Sequence, residues 1–182
     1  MTWTPDGLLE LGRSYQATAV YAAAADLDLF DALTDGALTA RQLARRLRCD
    51  LRGLLILLDA LGALRLLTKR AGRYSLPAGA ATFLTSDGPR SILAMAQHQA
   101  NCLRNWAQLA KVVKTGRPAK RMPSVRGADG DAAAFIGAMH NVSAPVANNV
   151  IRDVKPLRFH HLLDLGGASG TWTIAFLRAC PS

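Results

Sequence analysis

The chain has 182 residues, half of them hydrophobic, and 22 Lys and Arg against 13 Asp and Glu give it a net charge of +9. That length suits one ordinary domain or one domain plus part of a second, and so much apolar material argues against wholesale disorder. The basic excess permits contact with nucleic acid, acidic membranes or anionic ligands, but it is read first as a solvated surface, because charge alone speaks to solubility and not to fold.

Cys49, Cys102 and Cys180 stand far apart with no CxxC spacing. This argues against a disulfide framework or a structural metal site and fits a reducing compartment. The start, Met1 to Asp6, lacks the basic and apolar segments of a leader peptide. The longest apolar stretch, Leu54 to Leu67, is broken by Asp59 and Arg65 and is too short to cross a bilayer. A soluble, cytoplasmic protein without a membrane partner is expected.

In chain order, Leu8, Leu11, Tyr15, Ala19 and Ala22 recur at helical spacing and predict an Ala-rich helix from Gly7 to about Ala25. A second helical stretch, Leu27 to Leu33, ends near Asp35-Gly36. Thr39 and Gln42 fit a capping box that opens a helix through Leu43 and Leu47. Asp50 caps the next, strongly apolar helix, Leu51 to about Leu61. Leu64 to Thr68 and Tyr74 to Leu76, joined across Gly72, predict a hairpin. Helix, helix, turn, helix, hairpin is the order of a winged helix. Pro89 suits the first turn of a long helix from Arg90 to about Thr115. Gly116 to Gly130, with Pro118, Pro123 and many charges, is expected to be a mobile connector. Asp131 to Val154 returns to helix, with a kink or break expected at Pro145.

A winged helix on a basic chain raises DNA binding at once. The second helix of such a motif must present polar side chains to the major groove. Here Leu51, Leu54, Leu55, Leu58 and Leu61 make its buried face, and the opposite face offers Arg52, Ile56, Asp59 and Ala63. No Asn, Gln or second Arg is placed to read a base edge, so no specific nucleic-acid partner is expected. The basic residues lie on the preceding helix (Arg41, Arg45, Arg46, Arg48) and the wing (Lys69, Arg70, Arg73), where weak phosphate contact is the most they offer.

The C-terminal stretch carries the most chemistry. His160 to Leu165 reads as a short apolar strand, Gly166-Gly167-Ala168-Ser169-Gly170 as a glycine turn, and Thr171 to Arg178 as an amphipathic helix. Strand, glycine turn, helix aims backbone N–H groups and a helix N-terminus at a ligand, although such a turn can also be purely structural. A phosphate loop would need Lys-Ser/Thr after its last glycine, and Gly170 is followed by Thr171-Trp172. A dinucleotide GxGxxG would need glycines at 168 and 171, which are Ala and Thr.

Asp164-Leu165-Gly166-x-Ala168-x-Gly170 resembles the DxGxGxG signature of class I S-adenosylmethionine-dependent methyltransferases, with Ala168 in place of the central glycine. With the Ala-rich start, the winged helix that does not read DNA and the long helix, nearly the whole chain is similar in architecture to the O-methyltransferases of small phenolic and polyketide-type molecules. The resemblance implies a mainly α fold in three parts. Residues 1–115 are a winged-helix-like dimerisation domain, 116–155 a connector and helix, and 156–182 the first β–α unit of an incomplete Rossmann-like domain. It also implies S-adenosylmethionine contacts at Asp164, Gly166, Gly167, Ala168 and Gly170, a homodimer, and a small-molecule substrate lined by Phe135 and Met139. Ordinary core packing suits that last pair equally well.

The acidic residue that holds a ribose in comparable sheets follows the second strand. The resemblance places the catalytic base, a histidine, in the C-terminal half. The chain reaches Pro181-Ser182 before either, and His98, His140, His160 and His161 do not match that base. No catalytic residue is therefore expected here, and the chain alone is expected to be inactive. A lone parallel strand leaves its backbone groups unpaired, so a poorly anchored segment is expected from about Pro156.

Overall fold

The computed structural model describes residues 2–180; Met1, Pro181 and Ser182, and the expectations that touch the two chain ends, lie outside the described residues. The first helical stretch divides at Ser14 into α1 (Pro5–Arg13) and α2 (Tyr15–Asp26). Thr4 caps α1 by accepting from the Gly7 amide, and no residue of α1 is buried. Ala24 and Ala25 of α2 are fully buried, and such small side chains let neighbouring helices approach closely. The stretch expected to be helical from Leu27 is a turn that closes in a single 3-10 turn at Asp31–Leu33.

The capping box forms as read. Thr39 Oγ1 accepts from the Gln42 amide at 3.2 Å, and Gln42 Oε1 accepts from the Thr39 amide at 2.9 Å. It opens α3 (Ala40–Leu47), and Asp50 caps α4 (Leu51–Ala63) through the Gly53 amide. The hairpin is β2 (Thr68–Arg70) and β3 (Arg73–Ser75), with Ala71 and Gly72 at positive φ in its turn. A further strand that the hydrophobic pattern did not signal, β1 (Leu38–Thr39), pairs antiparallel with β3, so the sheet order is β1-β3-β2. Two residues are too few to show a period. Leu29, Phe30, Leu43, Leu58, Leu61 and Tyr74 are the largest fully buried side chains, and they join α2, α3, α4 and the sheet in one core.

After α5 (Ala78–Leu84), the long helix expected from Arg90 starts later and divides into α6 (Leu93–Trp106) and α7 (Leu109–Thr115). Residues 116–126 form no helix. They are nevertheless pinned, because Gln108 bonds the backbone of Lys120 in both directions and the Ser124 amide donates to Asp131 at 2.9 Å. The expected mobile connector is thus an extended strap. Helix α8 begins at Gly127 and runs unbroken to Val154, through Pro145. It packs on α6, which packs on α2. The amides of Leu27, Asp28 and Leu29 close the end of α2, and buried Gln97 of α6 adds donors to the Ala25 carbonyl and to Asp28. Arg104 pairs with Asp26 at 2.6 Å and Arg126 pairs with Asp28, tying the strap to the same corner.

The C-terminal segment follows the expectation in one part and departs from it in another. His160 to Leu165 pairs with no strand, and Leu163 and Leu165 are 80% and 84% exposed. Without a neighbouring strand its backbone groups have no ladder partner. Helix α9 (Thr171–Ala179), by contrast, is firmly seated. Ala147 and Ile151 of α8 form a small second core with Ala175, flanked by Leu157, Trp172 and Phe176. Anchoring therefore fails only at the segment that needs a sheet.

Candidate functional site

The glycine loop between Leu165 and Thr171 turns through positive φ at Gly166 (+74°), Ala168 (+42°) and Gly170 (+66°). Glycine reaches that region freely, and an L residue there costs roughly 1 kcal/mol. Ala168 thus occupies a conformation that favours the glycine of the DxGxGxG pattern. The Gly170 amide donates to the Gly167 carbonyl at 2.6 Å and closes the turn. A Cβ at Gly167 would lie 2.6 Å from an Asp164 carboxylate oxygen, so a larger residue there would push the Asp164 carboxylate from its place.

Asp164 accepts from the Thr173 hydroxyl in the first turn of α9. A carboxylate there is favoured by the partial positive charge of a helix N-terminus. Among the described residues, the amides of Gly166 to Ser169 donate to no protein acceptor. The arrangement is a cradle of free N–H groups closed on one side by Asp164, and it suits a polar or charged ligand group.

Beyond the loop, α8 holds α9 by two contacts that the sequence reading missed. His140 Nδ1 lies 2.7 Å from Thr171 Oγ1, and Trp172 Nε1 donates to Ser143 Oγ at 3.2 Å. His140 read only as a helix residue, and partners about thirty positions apart leave no local signal.

Phe135 and Met139 differ in their surroundings. Phe135 lines a cavity of about 480 Å³ with His98, Asn101, Asn105 and Met122, its ring tilted against that of His98 at 5.3 Å. Met139 is half-buried and lines neither this cavity nor the second one, of about 640 Å³, between the Gly88–Ile92 turn and α8.

The α4 face that would read DNA carries exposed Leu55 and Ile56, and Asp59 is engaged by Lys69 at 2.6 Å and by the Tyr74 hydroxyl at 2.7 Å. The expected buried face of α4 holds at Leu54, Leu58 and Leu61, while Leu51 is half-buried and Leu55 is 37% exposed. Arg46 pairs with Asp35, and Arg73 donates to the Ala37 carbonyl. Several of the basic residues thus have partners within the chain. No group of His, Cys, Asp and Glu suited to a metal is found among the described residues, and none of their helices is long and apolar enough to cross a membrane.

A helical core with a three-stranded sheet, followed by a long helix and a glycine turn, defines the class: the N-terminal part of a methyltransferase fold. Residues 9–86 match the O-methyltransferase dimerisation domain, so the chain carries a segment similar to that domain. The tetracenomycin polyketide synthesis 8-O-methyl transferase TcmO of Streptomyces glaucescens is 30% identical over 97% of this chain and 54% of its own length. The 3-hydroxy-5-methyl-1-naphthoate 3-O-methyltransferase of Streptomyces sahachiroi is 29% identical over 97% of this chain and 53% of its own. The solved structure of PigF with SAH superposes with a TM-score of 0.77 at 26% identity, over 98% of this chain and 56% of that one; PigF is a Serratia protein. The chain spans about half the length of the curated relatives it matches.

Proposed function

We propose that the chain is the N-terminal part of an S-adenosylmethionine-dependent O-methyltransferase acting on a small hydroxylated, phenolic or polyketide-like molecule. It homodimerises through its winged-helix-like domain, residues 1–115. The strap and α8 within 116–155 lead to the cofactor segment that begins at 156. The observation that carries the reading is the unpartnered amide cradle of Gly166 to Ser169, set directly after α8 in a chain whose residues 9–86 match the O-methyltransferase dimerisation domain.

Asp164, Gly166, Gly167, Ala168 and Gly170 are the cofactor contacts. When bound, the cofactor supplies an activated methyl group, and these residues hold and orient it. Phe135 faces the substrate side from its cavity, with Met139 one turn further along. The chain by itself is inactive, because His160 to Leu165 has no sheet to join and no catalytic base is assigned. It works in the cytoplasm without a specific nucleic-acid or membrane partner.

An amide-resolved NMR titration of the 182-residue chain with S-adenosylmethionine tests this. The Gly166 to Gly170 resonances should move at millimolar ligand. No movement would overturn the assignment of the loop, and micromolar affinity would overturn the claim that the site is incomplete. A second reading, a non-catalytic dimerisation module, draws on α1, where Leu8, Leu9 and Leu11 are all more than half exposed. It predicts the same dimer with no ligand response at the loop.

A further inference from the structure

Thr171 is the first residue of α9 and only 9% exposed, and its hydroxyl has two polar neighbours, His140 Nδ1 at 2.7 Å and Ser169 Oγ at 2.8 Å. A hydroxyl carries one proton and two lone pairs, so the state of His140 Nδ1 limits what the other two atoms can do. If His140 Nδ1 carries hydrogen, it donates to Thr171, and Thr171 is then free to donate to Ser169, which leaves the proton of Ser169 for another acceptor. If Nδ1 is bare, Ser169 donates to Thr171, Thr171 donates to His140, and Ser169 offers only lone pairs.

One turn along α8, Ser143 accepts from Trp172, and Ala147 and Ile151 continue the same stripe against α9. The apolar contacts seat the body of α9. The His140 relay reaches past them into the loop itself, at the residue that sits between Ala168 and Gly170.

We propose that His140 is a positioning residue for the glycine loop: through Thr171 it fixes Ser169 and Gly170 against α8, and its tautomer sets whether the Ser169 proton is committed to Thr171 or is free to be presented to the ligand. The ligand half of this statement rests on the loop being the cofactor cradle; the positioning half does not.

Two arms of one experiment separate them. In hydrogen exchange on the full chain, the Gly170 and Ile174 amides are bonded within this turn. They should exchange about tenfold faster in His140→Ala and in Thr171→Val, the loss expected for one partly buried hydrogen bond. His140→Asn, whose amide reaches about where Nδ1 sits, should restore the rate, and the double variant should exchange no faster than either single one. Amides in the last turn of α9 should keep wild-type rates. Unchanged exchange at Gly170, additive effects, or equal acceleration along all of α9 would overturn the proposal, the last because His140 would then only help to dock the helix. In the second arm, S-adenosylhomocysteine is titrated while the loop amides are followed, and half-saturation should rise about tenfold in His140→Ala. If the wild type gives no response while the exchange pattern holds, the cradle reading fails and the positioning role stands.

Discussion

Asp59 shows how a side chain acquires a role that its own neighbourhood in the sequence does not state. On α4 it reads as a carboxylate that phosphates would repel. In the fold it accepts from Lys69 and from Tyr74, whose body is buried in the core. The Lys69 hydrogen bond, then that of Tyr74, holds its carboxyl below the usual range, and the same pair lifts Lys69 to about 12. For a depressed acid the stabilisation is present above the unfolded pKa and is lost as pH falls through the folded one. Melting temperature should therefore drop more steeply as pH falls below about 4 in the wild type than in Asp59→Asn. Parallel profiles by calorimetry would remove Asp59 from the account. Thr39 stands at the other extreme, because its cap partner is three residues away and the motif was readable before any fold was known.

Elements were legible where a local period or cap defined them and illegible where a neighbour did. The α3 and α4 boundaries follow from Thr39 and Asp50. The divisions at Ser14 and between Trp106 and Leu109 carry no Gly or Pro to announce them, and the helical period continues across both. Of the kink or break that Pro145 announced, the break does not occur, and α8 continues through it. The α6–α8 crossing is set by Gly137, where an added Cβ would come within 2.6 Å of the Ala94 Cβ. Gly137→Ala would gain about 1 kcal/mol of helix propensity. The two backbones would then have to separate, at about 1–3 kcal/mol. The variant should be destabilised in urea, and Ala94→Gly in the same chain should recover most of the loss. A stabilised Gly137→Ala would mean that the helices lie further apart than described.

For the whole molecule, α1 is an element that the monomer leaves entirely without a buried residue. Leu8 and Leu11 of α1, and Tyr15 at the start of α2, are each more than half exposed. Replacing Leu8 and Leu11 by Glu should convert a dimer to a monomer in sedimentation, with circular dichroism unchanged. A dimer that survives would move the interface elsewhere. The sequence by itself determined the mainly helical class, the order of α3, α4 and hairpin, and the glycine turn, because caps, periods and glycine spacing act over a few residues. Only the tertiary structure decided that α9 is anchored while His160 to Leu165 is not, and that His140, Thr171 and Ser169 meet. A helix satisfies its own backbone and needs only a packed face, whereas a strand needs a neighbour for every peptide group. A hydrogen bond between positions 140 and 171 exists only once both helices are docked.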